Sequence, residues 1–140
     1  AAVVPSAAVS DGNTNGTNAR LRGGYFALQG IAVVVWWAVM FHQSSTMRYF
    51  LPHAMPVEAL TAFLPADAVF AASSFVAGWL AFRAHPRERL AAWFVAGAAC
   101  YAMLWCIGIW ALTGEALAGV LCMLPCAGAS VACALLASRP

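Results

Sequence analysis

The sequence predicts an all-α integral membrane protein. The expected architecture is a bundle of four transmembrane helices with both termini on the cytoplasmic side (N-in/C-in) and a short interfacial helix in the first loop. Three observations lead there. The stretch Leu90 to Gly114, LAAWFVAGAACYAMLWCIGIWALTG, has no charged residue from end to end, and a bilayer core about 30 Å thick needs roughly 20 apolar residues in a helix. Of 140 residues, 64% are hydrophobic and 9% are charged, with a mean hydropathy of +0.80. Soluble domains carry about 25% charged residues, so these few charges would not clothe a globule in water. The third observation is a one-sided distribution of arginine, set out below.

Residues 1–24 read as an extended polar tail containing the low-complexity run SDGNTNGTN. Alone, such a segment buries too little apolar surface to offset its ordering entropy. An ordered tail would need something to hold it, and a protein partner is the plainest candidate. Residues 25–140 form the four-span domain.

Span one is Tyr25 to about Gln43. Tyr25 and Phe26 are expected to mark one interface, and Trp36 and Trp37 to approach the other. Gln29 and Gly30 are its weak points. The first loop, Ser44 to Phe63, includes MRYFLPHAMP, an interfacial composition, and then PVEALTAF. Pro56 suits a first helical turn, and Glu58 is favourably placed against the helix dipole. That short helix is expected to lie along the membrane surface.

Span two runs from Leu64 to Phe82, with Pro65 and Asp67 in its first turn and a small face of Ser73, Ser74 and Gly78. Small residues let transmembrane backbones approach closely. The loop RAHPRER, Arg83 to Arg89, is tight enough to make spans two and three an antiparallel hairpin. Span three covers residues 90–113. Span four covers Ala116 to about Ser138, with Pro125 expected to kink it near Leu121. All seven basic residues are arginine. Arg20, Arg22, Arg83, Arg87, Arg89 and Arg139 fall on one side and Arg48 alone on the other. By the positive-inside rule the first side is cytoplasmic, and the expected location is a bacterial inner membrane.

Few residues suggest chemistry. Cys122, Cys126 and Cys133 share one helical face at i, i+4 and i+11, but CxxxC matches no common zinc pattern, and they read as small polarizable groups at a helix contact. No metal site is expected. His42, at the outer end of span one, is the one candidate cofactor-binding residue: a neutral imidazole there would ligate haem or a chlorophyll-type magnesium, or hydrogen-bond a quinone. His53 lies further out, and His85 faces solvent or headgroups. Asp67 reads as a helix-start carboxylate, although intramembrane acids are often functional. Trp79, Trp93 and Trp110 fit interfacial belts, while Trp105 and Tyr101 lie deeper. There is no GxSxG, HExxH, Walker loop or GxGxxG opening a helix after a strand, so no catalytic residue is expected. The net charge of +2 and the absence of a basic run with interleaved aromatics give no reason to expect nucleic acid.

The segments YFLPHAMPVEALTAFLPADAVF and ACYAMLWCIGIWALTGEALAGVLCMLP carry a resemblance. Through Phe50-Leu51-Pro52, Ala66-Asp67, Tyr101, Thr113-Gly114 and Met123-Leu124-Pro125, the chain from about Tyr25 to Leu136 resembles the four-helix membrane region that precedes isoprenylcysteine carboxyl methyltransferase-like domains in some bacterial proteins. The resemblance implies four spans. It implies no activity, because the part that would bind S-adenosylmethionine is not among these residues.

The leading expectation is a non-catalytic accessory subunit of a larger membrane complex, with photosynthetic or respiratory electron-transport assemblies as natural hosts. Its partners would be membrane lipid and larger integral membrane subunits. Bound lipid, quinone or a tetrapyrrole pigment would be contacted rather than required. The alternatives are a membrane part or partner of an isoprenylcysteine-type methyltransferase, and a pigment- or haem-binding protein using His42.

Overall fold

The computed structural model describes residues 11–138. Its elements in order are α1 (Asp11–His42), a 3-10 helix (Ser44–Phe50), α2 (Glu58–Thr61), α3 (Leu64–Phe82), α4 (Glu88–Thr113) and α5 (Leu117–Ala137). Four helical segments are long and apolar enough to cross a membrane: Gly16–His42, Glu58–Phe82, Glu88–Thr113 and Leu117–Ala137. No strand occurs among the described residues.

Three boundaries differ from the sequence reading. The first is the tail: α1 begins at Asp11 rather than Tyr25, so the segment from Asp11 to Gly24 is helical and not extended. Contacts carry the helix past Tyr25. Arg22 pairs with Glu88, and Gly23 sits against the Phe82 ring. The rest of the tail, residues 1–10, and Arg139 lie outside the described residues. The second is the short helix after Pro56. It forms at Glu58–Thr61 as an N-terminal extension of α3, because Ala62 and Phe63 keep right-handed helical dihedrals between the two. The third is the loop before it, where Ser44–Phe50 winds into a 3-10 helix.

Helices cross antiparallel, as short connections require. At one end Arg22 and Gly23 of α1 meet Glu88 and Phe82, and Trp93 donates to Ser138 Oγ at 3.0 Å. At the other end Trp37 meets Asp67 and Phe63 meets Trp105. The α1–α3 and α4–α5 pairs make the most extensive contacts, and α3 also packs on α4.

Size sorts the side chains. Ala77, Ala81, Ala92, Ala96, Ala99, Ala127 and Ala134 are buried, while large apolar residues face out, with Leu112 at 87% and Tyr101 at 73% exposure. Water would drive the opposite arrangement. In lipid a leucine gains nothing by turning inward, and helices associate through close van der Waals contact between small residues. The α1–α3 contact shows how. The Phe82 and Phe75 rings fill the space above Gly23 and Gly30. Each pair is seven residues apart on its own helix, about two turns. Between them, a Cβ on Gly78 would lie 3.0 Å from Gly23 O and 3.2 Å from Ala27 N.

Tight turns close the ends. α3 stops with Ala84 in the left-handed region (φ 47°), its N–H donating to Ala81 O and that of His85 to Leu80 O, the pattern of a C-terminal helix cap. Gly114 (φ 71°) ends α4, with its N–H on Trp110 O at 2.7 Å. Here glycine takes the left-handed position without steric cost. Pro125 lies inside α5, which runs helical through it from Leu117 to Ala137.

Candidate functional site

The sequence-level candidate, His42, closes α1. It is exposed, and with Val35, Ala38, Val39 and Gln43 it lines a shallow groove on the outward face of the helix. Residues 35, 38, 39 and 42 recur at helical spacing, so this groove is one surface of one helix. No other titratable side chain faces His42 in that groove. Among the described residues no group of three or more His, Cys, Asp or Glu is placed to hold a metal ion.

The structure instead gathers polar groups between the helices. Gln29, read from sequence as a weak point of span one, is 6% exposed. Its amide donates to Ser130 Oγ and to Cys126 Sγ, both at 3.0 Å. Tyr25, one turn earlier on the same face of α1, donates its hydroxyl to Cys126 O at 2.9 Å and lies 2.9 Å from Ser130 Oγ. A phenol has one proton, so with that proton on the carbonyl, Ser130 supplies the hydrogen between the two hydroxyls. The bonds then run in one direction, from Gln29 through Ser130 and Tyr25 to the Cys126 carbonyl. Ser74 of α3 lies 3.4 Å from Gln29 Oε1, but its single proton has a nearer acceptor in Phe70 O at 2.8 Å. The Gln29–Ser74 contact is therefore the weakest member of the set.

This cluster joins α1, α3 and α5. It also accounts for one of the three cysteines that share a face of α5: Cys126 meets Gln29, Cys133 packs beside the buried core, and Cys122 is exposed. The helix-contact reading thus holds for Cys126 and Cys133. The signal for the cluster was present in the sequence. Tyr25 and Gln29 stand four apart, as do Cys126 and Ser130, so each pair occupies one face of an otherwise apolar helix.

A second polar contact lies near the opposite end. Trp37 Nε1 donates to Asp67 Oδ2 at 2.9 Å. Trp37 is 5% exposed, packed among Met40, Met47, Leu51 and Leu60, and so faces the protein interior rather than lipid. Asp67 does stand in the first turn of α3, but no side-chain cap bond is made there. Its hydrogen-bond partner is the indole of α1. The 3-10 helix and its neighbours close over this end, with Phe50 edge-on to Trp36 at 5.5 Å.

Polar contacts tie the two ends. Arg22 Nε meets Glu88 Oε1 at 2.6 Å. At the other end the backbone N–H of His53 donates to Glu115 Oε2 at 2.6 Å, with His53 Nδ1 3.2 Å from the same oxygen. These donors hold the Glu115 carboxyl below its ordinary value, the backbone N–H contributing most.

Comparison with family models, with curated protein sequences and with solved structures gives no match. Every buried side-chain nitrogen or oxygen among the described residues has a hydrogen-bond partner. In a low-dielectric interior that satisfaction fixes which helix faces meet.

Proposed function

We propose that the chain is a non-catalytic accessory subunit of a larger membrane complex, inserted as a four-helix bundle in a bacterial inner membrane. Both termini and the α3–α4 turn would face the cytoplasm, where the positive-inside rule puts Arg20, Arg22, Arg83, Arg87, Arg89 and Arg139. One observation carries the reading. The polar side chains between the helices, Gln29, Tyr25 and Ser130, are committed to one another, and Ser74 mainly to Phe70 O of its own helix. They hold helix to helix, while the outer faces offer large apolar side chains from every span to lipid or to neighbouring subunits. A photosynthetic or respiratory electron-transport assembly is the host this reading favours.

The test is isolation of the native complex in mild detergent. Larger integral membrane chains should co-purify in fixed stoichiometry. Recovery of the chain alone, with its N-terminal segment open to protease, would defeat the proposal.

The groove at His42 supports a second reading, contact with a tetrapyrrole or quinone. An imidazole at the end of an apolar strip formed by Val35, Ala38 and Val39 suits the rim of a flat, mostly apolar ring system. The absorbance spectrum of the purified assembly decides it: His42→Ala should lower cofactor content, and an unchanged spectrum removes this reading.

A further inference from the structure

We propose that the α3–α4 turn is a binding site for the phosphate headgroup of anionic phospholipid. The proposal rests on the chain's being a membrane protein and names the lipid class it selects.

Charge is the first argument. Arg83 and Arg87 stand in the α3–α4 turn and Arg89 in the first turn of α4, and all three are exposed. Arg20 stands at the same end of α1, two residues before the Arg22 that reaches Glu88. Glu88 is the only described acid at this end that pairs with an arginine, and Arg22 takes it. Arg20, Arg83, Arg87 and Arg89 are left with no carboxylate among the described residues. Uncompensated guanidiniums beside a transmembrane helix attract anionic headgroups, and their planar donor forks match phosphate oxygens.

Rigidity is the second. The turn is closed by the Ala84 and His85 N–H bonds onto α3. Within it the Arg87 N–H donates to His85 Nδ1 at 3.1 Å and the Glu88 N–H to His85 O at 2.9 Å. The Arg83 guanidinium lies over the Trp79 ring, 5.5 Å from its centroid. These bonds fix the backbone that carries Arg83 and Arg87, and the Trp79 ring places the Arg83 guanidinium.

Surface chemistry is the third. Directly beyond the charges lie Trp79, Phe82, Leu90 and Phe94, all exposed. A phospholipid presents the same sequence of surfaces, an anionic head and then apolar chains. Free phosphate would use only the upper half.

Binding is measured on the full chain in detergent, by quenching of tryptophan fluorescence with brominated phosphatidylglycerol against brominated phosphatidylcholine. Each arginine near the surface contributes about 1 kcal/mol, or roughly fivefold. Arg83→Gln/Arg87→Gln/Arg89→Gln should therefore weaken phosphatidylglycerol binding on the order of 100-fold and leave phosphatidylcholine unchanged. The corresponding triple lysine variant, equally exposed, should keep most of the preference, and Arg48→Gln at the opposite end should keep all of it. Helicity by circular dichroism verifies that each variant folds. Millimolar inorganic phosphate should not displace the lipid; displacement would mean a site for free phosphate and overturn the proposal. Equal affinity for the two lipids, or a triple glutamine variant that retains the preference, would overturn it too. Lipid selectivity is measured on the isolated chain and partner recovery on the native complex, so either proposal can fail without the other.

Discussion

The Arg22 guanidinium donates to the Glu88 carboxylate at 2.6 Å, and each side chain is only 11% exposed. This pair joins α1, about three turns in from Asp11, to the start of α4 across the end of α3. Removing one partner from a buried pair strands the other charge and costs about 3 kcal/mol or more. Glu88→Gln should therefore lower stability in detergent by about that much. Replacing both, Arg22→Met with Glu88→Leu, should recover most of the loss, because the desolvation penalty goes with the charges. Unfolding by a denaturing detergent, followed by tryptophan fluorescence, measures each variant. A double variant no better than the single one would show that the pair contributes more than it costs.

Gly78 tests the close approach of α1 and α3. An added Cβ would lie 3.0 Å from Gly23 O and 3.2 Å from Ala27 N. Both are backbone atoms, so the helices themselves must move. Gly78→Ala should cost about 1–3 kcal/mol, the range for overpacking a tight contact. Gly97 of α4 is the control, with nothing within 4 Å of its Cβ position. Gly97→Ala should be neutral or slightly stabilising, since alanine is the better helix former. Thermal unfolding in the same detergent compares them, and equal effects at the two sites would exclude the packing argument.

These two sites also show what was legible in the sequence. Helix limits for α3, α4 and α5 were readable to within two residues, because uninterrupted apolar length is a property of the chain alone. The small face holding Ser74 and Gly78 was readable from composition. The pairing of Arg22 with Glu88 was not. Both fell in segments read as polar, and their separation of 66 residues leaves no periodic trace. For the same reason the start of α1 was set too late, since a run of Asn, Gly and Thr carries no helical signal and the contacts that extend the helix are tertiary. Gln29 was noticed and taken for a flaw, because a lone amide in an apolar run shows its cost in sequence while its partners lie on α5 and α3. His42 drew attention by residue type, and the structure puts no second titratable side chain in its groove.

Ser130 and Ser74 separate the strong and weak halves of the polar cluster. Ser130→Ala removes the group that both Gln29 and Tyr25 approach, at 3.0 and 2.9 Å. Hydrogen bonds between transmembrane helices average about 0.6 kcal/mol and reach about 1.7, so this variant should lose about 1 kcal/mol or more. Ser74→Ala should lose little, because that hydroxyl is bound mainly to Phe70 O of its own helix. A double-mutant cycle between Tyr25→Phe and Ser130→Ala should give a coupling of about 0.5 kcal/mol or above. Additive losses would mean the two residues act separately.

Glu115 predicts a pH dependence at the opposite end. The His53 N–H donors favour the ionised carboxylate and lower its folded value below the ordinary 4.5. A depressed acid contributes stability that is fully present above its unfolded value and fades as pH falls through the folded one. The contact between the first loop and the α4–α5 turn should therefore be constant above about pH 5 and weaken progressively below 4.5. Exchange of the His53 backbone amide with solvent deuterium reports it, since that N–H is protected by the carboxylate at 2.6 Å. Once the intrinsic pH dependence of exchange is removed, protection should fall in acid for the native chain. Glu115→Gln should give a flat profile at a lower level. A native profile as flat as that of the variant would show that the bond does not persist in solution.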